Sequence, residues 1–144
     1  MNYESLADGG FASGSMMGSG GFIVLDDTQC VVKHTYTLAR FYRHESCGQC
    51  SPCREGTGWM EKLLWRLDKG LGKISDIDLL WDIQRKIEGN TICPLGDAAA
   101  WPVAAAIRHF RDEFEWHVLN PDECTKRNYG LAHYAEPLQI ATPA

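Results

Sequence analysis

The stretch "ESCGQCSPCRE" (45–55) carries Cys47, Cys50 and Cys53, three thiols within seven residues, and "TICPLGD" (91–97) brings Cys93 after 39 intervening residues, directly before Pro94. Few chemistries need thiols at that density. Structural zinc usually takes paired C-x2-C units, each supplying two arms of a tetrahedron. Here one loop supplies three thiols and a distant position the fourth. That three-plus-one layout suits a 4Fe–4S cubane, whose irons each take one terminal thiolate, and the bacterial ferredoxin pattern combines the same triplet with a Cys-Pro. The spacing therefore nominates Cys47, Cys50, Cys53 and Cys93 as cofactor-binding, metal-ligating residues. A zinc site, a thiol site and disulfides stand as the other readings.

The neighbours of these cysteines fit that role. Gly48 and Pro52 favour a tight loop that aims backbone N–H groups at sulfur. Helices are expected to start soon after Cys53 and Cys93. Their N-termini would bring partial positive charge towards an anionic cluster. Arg54 adds to that charge or is a solvated surface residue. Two cysteines lie outside the pattern: Cys30, near the start of the first expected helix, reads as a small buried thiol, and Cys124 sits in a polar tail with no evident role. The five histidines form no metal pattern; for His44, three residues before Cys47, a hydrogen bond near the cluster is the lesser reading.

Composition narrows the class. The chain has 144 residues, 44% hydrophobic and 23% charged, the make-up of a soluble globular domain with a modest core. A net charge of −5 argues against nucleic-acid binding. The longest apolar run, "AAAWPVAAAI", is too short to span a bilayer and is broken by Pro102. The opening "MNYESLADGG" lacks the basic and apolar regions of a signal peptide, so a reducing compartment is expected and disulfides are not.

Periodicity predicts four amphipathic helices. The first covers Thr28 to about His44, capped by Asp27 or Thr28, with Val31, Thr35, Leu38 and Tyr42 on one face. The second covers about Thr57 to Asp68, with Trp59, Met60, Leu63, Leu64 and Leu67, and stops at Gly70. The third covers about Asp76 to Glu88, with Ser75 or Asp76 as cap and Ile77, Leu80, Trp81, Gln84 and Ile87 inward. The fourth follows Asp97 to about His117, with Val103, Ile107, Phe110 and Phe114; Pro102 is expected to disturb its start. Short connections imply a mainly α four-helix bundle. Trp59, Trp81, Phe110 and Phe114 read as core. Ahead of the bundle, residues 8–21 are rich in Gly and Ser, and "FIVLD" (22–26) is a strand-like run that needs a partner. Neither a G-x-G-x-x-G nor a G-x-x-x-x-G-K-[ST] motif occurs, and no strand–helix alternation could build a nucleotide-binding sheet. No catalytic triad can be placed, so the chain reads as an electron-transfer centre without bond-making chemistry.

Taken together, "ESCGQCSPCREG" (45–56), "TICPLGDAAAWPV" (91–103) and "IRHFRDEFE" (107–115) resemble the C-terminal part of the NADH-binding flavoprotein subunit of respiratory complex I, the bacterial F subunit and its mitochondrial counterpart. The stretch 3–27 resembles the end of the small β-grasp-like domain that precedes it. The resemblance implies three parts: a β-grasp remnant over 1–27, a helical 4Fe–4S domain over 28–119 and an irregular tail over 120–144. It implies a cluster on Cys47, Cys50, Cys53 and Cys93 that relays electrons from a flavin to clusters of a neighbouring subunit. FMN and NAD would bind elsewhere in the assembly, in a larger N-terminal domain that this sequence does not contain. Partners would be the flavin-bearing part and the next iron–sulfur subunit, with no nucleic acid and no membrane span of its own, at the cytoplasmic side of the inner membrane. Related subunits occur in NAD-linked hydrogenases and formate dehydrogenases. A zinc-stabilised interaction module and a free-standing ferredoxin-like carrier are the competing functions. The first would hold zinc in place of iron and sulfide, and the second would lack an exposed apolar contact surface.

Overall fold

The computed structural model describes residues 23–26 and 29–121. Among the described residues four helices follow one another: α1 (Val31–Glu45), α2 (Ser51–Asp68), α3 (Ile74–Ile87) and α4 (Leu95–Leu119). α1 packs on α2 and α4, and α3 packs on the same two. The connections are short, so neighbouring helices alternate in direction, as the expected bundle requires. Among the described residues no helix is long and apolar enough to cross a membrane.

Several boundaries differ from the expected ones. α1 starts at Val31, with Cys30 as N-cap, and its sulfur accepts from the Lys33 N–H at 3.4 Å. The expected caps Asp27 and Thr28 lie outside the described residues. α2 starts at Ser51, six residues before the expected Thr57, because Pro52 fits the first turn of a helix. Gly56 and Gly58 lower local helix propensity, and packing overrides that. α3 starts at Ile74, and Asp76 acts from inside the first turn, its carboxylate accepting from Lys73 N–H at 3.0 Å. α4 starts at Leu95 and takes Pro102 without a break. Its one non-helical residue is Phe110, at φ −133° and ψ 29°. Residues 23–26 form no strand and are exposed, and among the described residues there is no strand for them to pair with. The remainder of 1–27, and the tail beyond Pro121, lie outside the described residues.

The core is aliphatic. Met60, Leu64 and Leu67 of α2 meet Ile77, Leu80 and Ile87 of α3, with Val32 and Ala39 of α1 and Ala100, Val103 and Phe114 of α4 completing it. Each large aliphatic side chain buried this way contributes roughly 1.5–3 kcal/mol. On α1 the fully buried stripe is Val32, Thr35 and Ala39, with Val31, Leu38 and Tyr42 on its flanks. Of the four aromatics expected in the core, only Phe114 is wholly inside, and Trp81 is half-buried. Trp59 is 52% exposed at the edge of the α2 stripe, and Phe110, 48% exposed, is turned outward where α4 departs from helical geometry.

One contact sets the spacing of α2 and α3. A Cβ built on Gly56 would stand 2.7 Å from both Cγ1 and Cδ1 of Ile87. Any larger residue forces the helices apart. Gly56→Ala is therefore expected to lower stability by about 1–3 kcal/mol through overpacking. Ile87→Ala alone should cost about 2–5 kcal/mol. The double variant should lose clearly less than the two singles combined, because each relieves the other. Chemical denaturation of the four proteins measures this, and strict additivity would refute the close approach.

Candidate metal centre

In a bundle of alternating helices, the α1–α2 and α3–α4 connections emerge at the same end. This puts the triplet loop and the Cys93 turn at one end of the bundle. Cys47 lies in the first connection, Cys50 is the N-cap of α2 and Cys53 lies in its first turn. Cys93 lies in the second connection, directly before Pro94, the N-cap of α4. All four thiols are free, with Cys53 buried, Cys50 partly buried, and Cys47 and Cys93 exposed. The two connections touch: the Ile92 N–H points to Cys50 Sγ at 3.4 Å, across 42 residues of sequence.

Each connection is fixed by its own hydrogen bonds. In the first, Ser46 N–H donates to Tyr42 O at 3.0 Å, closing α1. The Ser46 hydroxyl sits 3.2 Å from Cys53 Sγ. Arg54 reaches back from α2, donating to the Gly48 carbonyl at 2.8 Å and to Ser51 Oγ at 3.4 Å. Arg54 is therefore a clasp on the loop rather than a residue held only by solvent. In the second connection, Asp97 Oδ1 accepts from the Gly89 N–H at 2.7 Å, and the Trp101 indole donates to Glu88 at 2.8 Å. Thr91 Oγ1 donates to the Cys93 carbonyl at 3.0 Å. His44, considered as a neighbour of the cysteines, is instead exposed and sits 3.0 Å from Glu45.

This arrangement fits a cubane cluster. The donors are soft thiols, and a backbone N–H already points at one of them. The N-termini of α2 and α4 open beside the cysteines, where their unpaired N–H groups favour negative charge. Four free thiols in two turns that touch can present terminal thiolates to such a cluster. The chain belongs to the family described as the NADH-ubiquinone oxidoreductase-F iron-sulfur binding region, whose model matches residues 33–117, more than half of the sequence. That family is a 4Fe–4S family, so the cofactor is a 4Fe–4S cluster. The chain is 52% identical over 115 residues to the F subunit of the NADH-quinone oxidoreductase of Rickettsia bellii, covering 80% of this chain and 27% of that protein. It is 45% identical over 126 residues to an F subunit of the NADH-quinone oxidoreductase of Rhizobium meliloti, covering 88% of this chain and 27% of that one. The chain thus spans about a quarter of the length of these relatives.

The fold also assembles a second group of side chains that the cysteine spacing does not announce. Cys30, Glu113 and His117 offer ligand atoms within 4.8 Å of one another, at the opposite end of the bundle from the four cysteines. Taken singly, the histidines give no pattern. The available signal is Glu113 and His117 at i, i+4, a spacing that places both on one helix face.

Gly48 shapes the triplet loop. Its φ is +80°, and an added Cβ would meet only Arg54 Cδ at an ordinary 3.7 Å. Space is therefore available, and the cost of a side chain is in the backbone alone. Gly48→Ala is expected to destabilise by about 1–2 kcal/mol, with Gly48→Asn intermediate because Asn tolerates the left-handed region. Thermal unfolding of the two variants tests this ranking.

Proposed function

We propose that this chain is the electron-relay domain of an NADH:quinone oxidoreductase, with Cys47, Cys50, Cys53 and Cys93 as the cluster ligands. The observation that carries the reading is the Ile92 N–H to Cys50 Sγ contact, which joins the triplet loop to the Cys93 turn. When bound, the cluster supplies one-electron transfer between a flavin and further iron–sulfur centres. The residues of this chain hold it and set its surroundings. Ile92 N–H and the Ser46 hydroxyl face ligand sulfurs. Arg54 and Asp97 hold the two turns that present them. FMN and NAD bind in the rest of the assembly, and the chain works at the cytoplasmic face of the inner membrane as part of a larger complex.

An exposed apolar groove supports membership of an assembly over the role of a free-standing carrier. It lies between α2 and α3 next to the triplet loop, has a volume of about 700 Å³, and is lined by Pro52, Trp59, Leu63, Leu79, Ile83 and Ile87. Surfaces of this kind are where proteins meet. We assign it to contact with the flavin-bearing part or the next iron–sulfur subunit. The N-terminal stretch 1–27 is assigned to the end of a β-grasp-like domain, and 120–144 to an irregular tail.

Anaerobic reconstitution with iron and sulfide tests the ligand set. Cys93→Ser should lose most bound iron and the reduced-state EPR signal, whereas Cys124→Ser should retain both. Full iron content after combined loss of Cys50 and Cys93 would sink the assignment. A finer outcome concerns Ser46. A hydrogen bond to a ligand sulfur stabilises the more negative, reduced state. Ser46→Ala should therefore shift the reduction potential downward in a redox titration while leaving iron content unchanged.

A further inference from the structure

We propose that Cys30, Glu113 and His117 form a second metal site, for a single divalent ion of the zinc class, at the end of the bundle opposite the cysteine loop. The three ligand atoms lie within 4.8 Å of one another. Cys30 is 2% exposed and His117 is fully buried. Cys30 Sγ and His117 Nε2 are 3.1 Å apart. Around zinc, with bonds of about 2.3 Å to sulfur and about 2.0 Å to nitrogen, two ligands of a tetrahedron stand roughly 3.5 Å apart. A small opening of this pair therefore admits the ion. Sulfur, imidazole and carboxylate together are a donor set that zinc accepts.

The surroundings orient the donors. Cys30 is the N-cap of α1, so its sulfur stands at the end of that helix. Its sulfur accepts from the Lys33 N–H at 3.4 Å. Glu113 Oε1 accepts from the Val31 N–H at 3.0 Å, which orients the carboxylate as outer hydrogen bonds do at metal sites. Glu113 and His117 project from adjacent turns of α4. Thiolate, carboxylate and neutral imidazole carry two negative charges between them, and one divalent ion balances them. The ion would join the first turn of α1 to the last turn of α4 and so close the bundle where its first and last helices meet. A water would complete its four-coordinate shell, and the ion is separate from the cluster.

The test uses the full chain with its iron–sulfur cluster loaded, exposed to zinc alone and then desalted. Elemental analysis should find about one zinc per chain in addition to the iron. Cys30→Ser and His117→Ala should each remove at least nine-tenths of that zinc without lowering iron content, while Cys93→Ser should lower iron and keep zinc. A readout on the unaltered chain guards against variants that fail to fold. X-ray absorption at the zinc edge should show one sulfur with nitrogen and oxygen neighbours. Absence of zinc after desalting overturns the proposal, as does a shell of sulfur alone, which would mean zinc in the cysteine loop.

Discussion

An up-and-down bundle has two ends, and alternate connections must lie at opposite ones. Everything at the candidate cluster site depends on that constraint. Cys53 and Cys93 are separated by 39 residues of sequence, yet α2 and α3 carry the chain away and back, so both turns arrive at one pole. The aliphatic core contributes to closing so long a loop. Loop entropy grows only slowly with length. The seam of Met60, Leu64, Ile77 and Leu80, all four side chains fully buried, offsets it.

The local bonds then refine what topology makes approximate. Arg54 and Asp97 each reach back from the first turns of α2 and α4 to hold the turn before them. Both contacts include a charged partner, which makes them stronger than neutral hydrogen bonds. The turns are thus anchored to the helices whose N-termini face the thiols, so turn and dipole cannot move independently. The Gly56–Ile87 approach has a similar effect at the level of whole helices, fixing how far apart α2 and the start of the Cys93 turn can stand.

What could be read from sequence followed from covalent spacing and strong periodicity. The triplet, the Cys-Pro and the four apolar stripes were legible, and so was the bundle. The start of α2 was not, because Gly56 and Gly58 resemble a loop until their neighbour Ile87 is seen. Trp59 and Phe110 were misplaced because helical spacing gives a face but not its edges, and because the break at Phe110 has no signal in residue type. Cys30 and His117 are 87 residues apart, and only the meeting of the first and last helices makes them partners.

The displaced aromatics have an optical consequence. The chain contains five tryptophans, Trp59, Trp65, Trp81, Trp101 and Trp116, and none is fully buried. The aliphatic interior holds no indole at all. Emission from the folded isolated chain will therefore come mainly from indoles in contact with water, and Trp81, half-buried against the core, is the ring that reports its melting. The same indoles form a natural reporter of assembly. When another polypeptide covers Trp59 in the α2–α3 groove, that ring leaves water, and its emission should move to the blue while the fold beneath stays as it was.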